Sequence, residues 1–260
     1  MKIAILTVAT GDYLNYWKSL VKSFFTNTEQ NENLSFHIVT DRVEDATVFI
    51  SKFKKTDFKI HQIEKQDWVS GTLLRYRHYV DIFEKIDQDF ILHLDADMLI
   101  AADFIPNLIE AINNHSNLVH LTLHPGYWRQ RRIYFPYLML SKMYKSEFKN
   151  LFLKLKGRNL GDWESNSRSS AFVPYDLRKS YYCGAVWFGR RNTIRRFLLD
   201  MVNLIDKDIH NNKLAKWHDE SYLNRWAAYN QHVEHPPSYC YVENYQHLSK
   251  LKKFIIAVDK

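Results

Sequence analysis

Phe90-Ile91-Leu92-His93-Leu94-Asp95-Ala96-Asp97-Met98-Leu99-Ile100 is the stretch from which the rest of this 260-residue chain can be ordered. Its first five residues show too little polar alternation for a surface strand and read as a buried parallel one. Two aspartates follow, with only Ala96 between them. On extended backbone, residues i and i+2 point to one side, so Asp95 and Asp97 are expected to face one cation together. Open parallel sheets bind ligands at the carboxyl ends of their strands, where this pair falls. Two hard oxygen ligands suit Mn²⁺ or Mg²⁺ holding a diphosphate. A turn or a helix cap is the competing reading of the same residues. Asp-x-Asp also occurs at Asp87/Asp89, in a polar turn, and at Asp206/Asp208, in a charged helical region. Both of those read as solvated surface.

Upstream, Lys2–Thr10 is a β-branched apolar strand ending in Gly11-Asp12, and Tyr13–Phe25 has helical apolar spacing. Leu34–Thr40 and Phe58–Glu64 read as further strands, and Thr72–Ile86 as a helix leading into the central strand. This is a nucleotide-binding style βαβ opening. Downstream, Phe104–Asn113 reads as helix, Leu118–Leu123 as strand, Ala171-Phe172-Val173 as strand-like, and Tyr181–Gly189 as strand. Gly184 and Ala185 leave backbone unshielded there, which fits either close approach by a ligand or plain packing. The helix Thr193–Ile209 precedes Trp217-His218-Asp219-Glu220-Ser221, which opens a helix burying Leu223, Trp226 and Ala227. Acids at a helix N-terminus can serve only as caps, although two carboxylates beside an indole and an imidazole are unusual for that. Phe254–Val258 is a closing strand. No repeat or linker interrupts the pattern, so one α/β domain over 1–260 is expected.

Composition narrows the class. With 46% apolar residues, 7 glycines and 6 prolines, the chain is globular rather than disordered. Cys183 and Cys240 form no framework, which suits a reducing compartment. No run reaches the roughly 18–20 apolar residues of a bilayer span, so a cytoplasmic protein, soluble or peripheral at the membrane, is expected. The net charge of +7 admits nucleic acid, an anionic membrane or an acidic substrate as partner. Arg129 to Arg158 holds nine Lys/Arg against Glu147, so 9 − 1 = +8, which accounts for the whole excess. Its apolar and lysine stripes predict a basic amphipathic helix near 137–156, either an ordinary solvated helix or one that docks on anionic lipid. No nucleic-acid motif accompanies it, and no nucleic-acid partner is expected.

Asp95-Ala96-Asp97, His124-Pro125-Gly126-Tyr127, Tyr181-Tyr182-Cys183-Gly184-Ala185 and Trp217-His218-Asp219-Glu220-Ser221 occur in an order and rough spacing that resembles glycosyltransferase family 6. That family includes the histo-blood-group A and B transferases and α1,3-galactosyltransferases. The resemblance runs from Ile5 to Lys260. It implies a GT-A fold, a Rossmann-like mixed sheet flanked by helices; the basic helical stretch near 129–160 departs from the family as an insertion between the His124–Tyr127 and Tyr181–Ala185 motifs. It also implies metal-dependent, retaining transfer of galactose or N-acetylgalactosamine from a UDP-sugar, in α1,3 linkage, to a galactose-containing oligosaccharide or glycolipid.

By the same resemblance Val8, Ala9, Thr10 and Tyr13 would line the uridine pocket, and Arg75 would steady the nucleotide. Asp95 and Asp97 would hold Mn²⁺ (or Mg²⁺), with Ala96 beside the nucleotide and Lys260 over the diphosphate. Cys183, Gly184, Ala185, His218 and Asp219 would meet the donor sugar, His124 and Trp217 the acceptor, and Glu220 would be catalytic. No anchor or stem like that of vertebrate members is expected, which resembles a soluble microbial or phage form. It keeps both aspartates where many bacterial relatives have asparagines. The rival readings are an inverting GT-A enzyme or nucleotidyltransferase, which would not explain Trp217–Ser221, and a non-catalytic glycan- or membrane-binding protein.

Overall fold

The computed structural model describes residues 2–29, 33–54, 56–128 and 161–259. The basic helix expected near 137–156, the insertion near 129–160 and Lys260 lie outside the described residues. Strand β1 (Ile3–Val8), helix α1 (Tyr13–Asn27), β2 (Leu34–Thr40), α2 (Val43–Ile50) and β3 (Asp57–Gln62) form the opening. Then come α3 (Trp68–Leu73), α4 (Arg75–Ile82), β4 (Phe90–Leu94), β5 (Met98–Ile100), α5 (Ile105–Asn114) and β6 (Val119–Leu123). Beyond residue 160 lie β7 (Tyr182–Arg190), α6 (Arg191–His210), α7 (His218–Tyr229), β8 (His232–His235) and β9 (Ile255–Ala257). Seven strands make one sheet in the order β3-β2-β1-β4-β7-β6-β8, and β5 pairs with β9 in a small second one.

Alternation along the strands builds two cores. Ile3, Ile5, Phe36, Ile38, Phe90, Leu92 and Phe188 face α1 and α5, where Leu14, Trp17, Leu20, Val21, Phe24 and Leu108 meet them. Ala4, Leu6, Ile91, Leu121 and Trp187 face Tyr76, Tyr79, Phe197, Met201, Tyr222 and Leu223 from α4, α6 and α7. The Rossmann-like mixed sheet between two helical layers is the architecture that the resemblance implies. All five residues of β4 are buried. That strand runs parallel to β1 but antiparallel to β7, so it joins a mixed sheet rather than a purely parallel one.

Several local expectations need correction. The helix read over Thr72–Ile86 is broken at Leu74, whose φ of −87° and ψ of 0° separate α3 from α4 and leave Arg75 at the start of the second. Ala171–Val173 is not a strand. Its alternating burial comes from a turn held by Asp208, which accepts from the Ser169 hydroxyl and from Ser170 N–H at 2.7 Å. Asp208, read as solvated, is 1% exposed and also accepts from Tyr222 Oη. Its partner Asp206 pairs with Arg77. The short elements α2, β5 and β8 carried no periodicity long enough to be read.

Buried histidine pairs make the sheet acid-sensitive. His37 lies 3.2 Å from His61, and His120 lies 2.9 Å from His235. Burial, reinforced by the neighbouring imidazole, pushes His37 down to about 4 and His120 to about 3. Burial also pushes His235 down to about 4. Below the ordinary value of 6.5 the unfolded chain therefore binds protons that the folded one refuses, and stability falls as pH drops from 6.5 towards 4. Each histidine contributes at most about 1.4 kcal/mol per pH unit in that window. The urea midpoint should be lower at pH 5 than at pH 7. An equal or higher midpoint at pH 5 would show that the histidines do not outweigh the raised Asp219 and Glu220 carboxyls, which favour folding as pH falls.

Candidate active site

Two recesses meet where β1 and β4 end and β7 begins. The smaller is walled by Val8, Thr10, Tyr13, Gly71, Thr72, Arg75 and Asp95–Asp97. The larger, about 480 Å³, shares Thr72, Arg75 and Asp95 and continues past Cys183–Ala185 and Trp217–Glu220 to His124, Tyr127 and Tyr245. The aspartates are brought together differently from the sequence expectation. After Leu94 the chain turns at Ala96-Asp97 rather than staying extended. Asp95 N–H donates to Ala185 O at 3.0 Å, and Val258 N–H donates to Asp97 O at 2.9 Å. These bonds fix the turn between β7 and the segment after β9.

Arg75 is the charge at the junction. It is 5% exposed, its Nη1 lies 2.5 Å from Asp95 Oδ1, and its Nε lies 3.5 Å from Asp219 Oδ2. The same Nη1 lies 2.8 Å from His93 Nε2. A guanidinium only donates, so His93 Nε2 accepts and the ring hydrogen on Nδ1 faces Leu6 O and Tyr79 Oη. Burial holds His93 neutral, its affinity for protons lowered. Although burial opposes it, the Arg75 charge holds Asp95 well below the usual carboxylate range.

Asp219 and Glu220 open α7. Trp217 N–H donates to Ser221 Oγ at 3.0 Å, and the N-cap residue Trp217 makes no side-chain cap bond. His218 has φ of +41°, a left-handed conformation that costs on the order of 1 kcal/mol for a side chain of its size. Asp219 is 7% exposed, and its Oδ2 is buried without a hydrogen-bond partner among the described residues. Burial pushes its carboxyl up to about 6 against the pull of Arg75. Glu220 is half-buried and is pushed up to about 8, first by burial and then by Asp219. Gly184 N–H donates to Glu220 Oε2 at 3.2 Å. A Cβ at Gly184 would lie 2.9 Å from Asp219 Oδ2, so a glycine there lets the carboxylate approach the strand.

At the far end of the cleft His124 is pushed down to about 4 by burial. Gly126 N–H donates to His124 Nδ1 at 3.1 Å, which leaves the ring hydrogen on Nε2. Trp217, 44% exposed, donates from Nε1 to Asp162 Oδ2 at 2.6 Å.

Of the expected site residues, Val8, Thr10, Tyr13, Arg75, Asp95, Ala96, Asp97, His124, Cys183, Gly184, Ala185, Trp217, His218, Asp219 and Glu220 all wall these recesses. Ala9 does not: it is fully buried in the core, and its N–H donates to Val39 O at 2.9 Å. The adjacent-residue pattern Val8-Ala9-Thr10 points alternate side chains to opposite sides, so only two of the three can face a ligand. Sequence reasoning missed Thr72, Tyr127, Asp162, Cys240 and Tyr245. Only Tyr127 sat inside a recognised motif; the others come from loops or helix ends whose approach no local pattern shows.

The donor set suits a hard divalent ion. Among the described residues no group of three or more His, Cys, Asp or Glu could enclose a metal. Two carboxylates in an open recess instead match an ion that completes its shell with water and substrate phosphate, as Mg²⁺ and Mn²⁺ do. Among the described residues no helix is long and apolar enough to cross a membrane.

A family model described as Glycosyltransferase family 6 matches residues 145–260. An O-antigen biosynthesis glycosyltransferase, WbnI, from Escherichia coli is 23% identical over 248 residues, covering 94% of this chain and 90% of that protein. The histo-blood group ABO system transferase 2 of Rattus norvegicus is 25% identical over 88% of this chain and 60% of its own length. Globoside alpha-1,3-N-acetylgalactosaminyltransferase 1 of Gallus gallus is 24% identical over 86% of this chain and 57% of its own length. The chain thus spans less than two thirds of the rat and chicken relatives. The family match over residues 145–260 and these alignments make the chain similar to glycosyltransferase family 6.

Proposed function

We propose that this glycosyltransferase is a retaining hexosyltransferase that moves galactose, or N-acetylgalactosamine, from a UDP-sugar to a galactose-containing glycan in α1,3 linkage. The observation that carries the reading is the pair of adjacent carboxylates Asp219 and Glu220 in a cleft continuous with Arg75 and Asp95; Asp219 Oδ2, ion-paired with Arg75, accepts no hydrogen bond among the described residues. A buried carboxylate oxygen with no hydrogen bond can accept one, and sugar hydroxyls supply donors. In this reading Thr10 and Tyr13 would meet the uridine, and Asp95 and Asp97 would hold the ion. A divalent ion bound there acts as a Lewis acid for the departing UDP. Arg75 adds its fixed charge to the same field. Glu220 would be the carboxylate that attacks C1 or steadies an oxocarbenium-like ion, and its bond from Gly184 N–H supports a fixed orientation. The acceptor hydroxyl would form the new bond to C1 and give its proton to the departing β-phosphate oxygen of UDP.

UDP release from UDP-galactose and UDP-N-acetylgalactosamine, with Mn²⁺ or with excess EDTA, is the direct test. Release with Mn²⁺ and its loss in EDTA are expected. No release from any UDP-sugar would overturn the activity, and full activity in EDTA would overturn the metal role. Asp95→Asn or Asp97→Asn should also remove Mn²⁺-linked UDP binding, because neutral amides ligate hard cations poorly.

The donor preference rests on two wall positions. In family 6 the residues matching Cys183 and Ala185 lie against the C2 substituent of the sugar; here both line the cleft. The Ala185 methyl fills space that a glycine would leave for an N-acetyl group, which favours UDP-galactose, while the small Cys183 returns some volume. One methyl is worth about 1–3 kcal/mol, roughly 10–200-fold. Ala185→Gly should shift the ratio of kcat/KM values towards UDP-N-acetylgalactosamine. An unchanged ratio would remove Ala185 from donor selection.

A further inference from the structure

The carboxylate of Asp162 has no part in the family motifs, yet it stands in the acceptor end of the cleft. Its Oδ2 accepts from Trp217 Nε1 at 2.6 Å, and its Oδ1 pairs with Lys216 Nζ. Tyr181 Oη donates to its backbone carbonyl at 3.3 Å, which ties the position to the start of β7. Two residues on, Glu164 is 6% exposed, and its Oε2 accepts from Lys216 N–H at 2.7 Å. Its other oxygen accepts from Asn166 N–H at 2.7 Å. The same strap is anchored further along by Asp208, which takes Ser169 and Ser170. Residues 161–170 therefore grip the loop 215–217 three times, through the backbone and the ammonium of Lys216 and through the edge of the Trp217 indole.

The arrangement is asymmetric in a way that points to function. Glu164 is buried and satisfied, as a structural clasp should be. Asp162 keeps 31% of its side chain open and holds an indole that is itself 44% exposed at the cleft. An exposed indole rotates about two side-chain torsions unless something fixes its edge, and a platform for a sugar ring works only when its plane is set beforehand. A charged acceptor at 2.6 Å from Nε1 fixes that edge. Lys216 Nζ, 5.7 Å from the indole centroid, caps the same carboxylate and steadies it against rotation.

We propose that Asp162 is a positioning residue for acceptor recognition: it sets the plane of Trp217 so that the indole can pack against a galactoside ring at the acceptor end of the cleft. The proposal deepens the glycosyltransferase reading above and rests on it. Asp162 touches neither the donor subsite nor the reacting carbon; it acts through Trp217.

The test compares Asp162→Ala with Asp162→Asn in the full chain, using UDP-galactose as donor and p-nitrophenyl β-galactoside as acceptor. Asp162→Ala should raise the acceptor KM about 10-fold or more, as loss of one charge-assisted hydrogen bond predicts, while donor KM moves less than about three-fold. Asp162→Asn retains a carbonyl oxygen able to accept from the indole and should recover most of that loss. The ¹⁵N-indole resonance of Trp217, assigned through Trp217→Phe, should shift upfield in Asp162→Ala and much less in Asp162→Asn. An acceptor KM within about two-fold of the parent, or donor and acceptor KM rising together, would overturn the proposal, as would equal loss in both variants. If the parent protein releases no UDP from any sugar nucleotide, the activity reading fails. Titration of p-nitrophenyl β-galactoside against the Trp217 indole resonance then decides the clamp by itself: weaker binding by Asp162→Ala sustains it, and equal binding by both proteins sinks it.

Discussion

Glu220→Gln should lower turnover at least ~10²-fold while leaving UDP binding nearly intact, and it should make the folded protein more stable at neutral pH. The two effects have one cause. Burial and the neighbouring Asp219 push the Glu220 carboxyl up to about 8, so the fold holds this group in a place that disfavours its charge. The raised value means that the folded protein binds a proton which the unfolded chain has already released above about 4.5. Ionisation therefore favours unfolding more strongly as pH rises from 4.5 to about 8, and a neutral amide removes that penalty. The gain should be on the order of 2 kcal/mol at pH 7 and should vanish below pH 4.5. The catalytic loss follows because the charge is most useful when C1 becomes cationic. Thermal unfolding at pH 4.5 and 7.5, beside kcat and UDP affinity, checks both halves. A variant that turns over normally would move the catalytic role elsewhere, and one destabilised at pH 7.5 would show that the carboxylate is not held against its preference.

That tension also explains how much of the site could be read before the fold was known. Asp95 and Asp97 were legible because an apolar run ending in acids has few structural uses. Even so, the reason first given for their joint orientation was wrong: they face one recess across a turn, not along an extended strand. Trp217–Ser221 stands out in the sequence as a chemically odd helix start, and in the structure both of its acids wall the cleft. Arg75 was assigned only through the family resemblance, because nothing local distinguishes it from Arg77 two residues later. The first is buried between two carboxylates, whereas the second pairs with Asp206 at the surface. Asp162 and Asp208 were missed or misread for the same physical reason. Their partners are 55 and 14 or more residues away, and an acid in polar sequence looks solvated until its long-range donors are known.

Arg75→Met should destabilise the protein by about 3–5 kcal/mol at pH 7, the range for removing one partner from a buried ionic cluster. The side chain is nearly isosteric, so the effect is electrostatic rather than a cavity. In its absence Asp95 and Asp219 face each other's charge in a protein-dense site, and His93 Nε2 loses its donor. The pH dependence separates this account from a packing defect. Arg75 is the charge that keeps Asp95 depressed, and it is the main force restraining the upward push on Asp219. A depressed carboxylate contributes stability that is present above its unfolded value and lost as pH falls through the folded one. Without Arg75 both carboxyls take up protons at higher pH, so the deficit should be largest at pH 7–8 and should narrow towards pH 4. Urea unfolding of parent and variant across that range measures it. UDP binding should fall as well, because the same guanidinium lines both recesses. A deficit that stays constant between pH 4 and 8 would mean that Arg75 supports the fold through its stem rather than its charge.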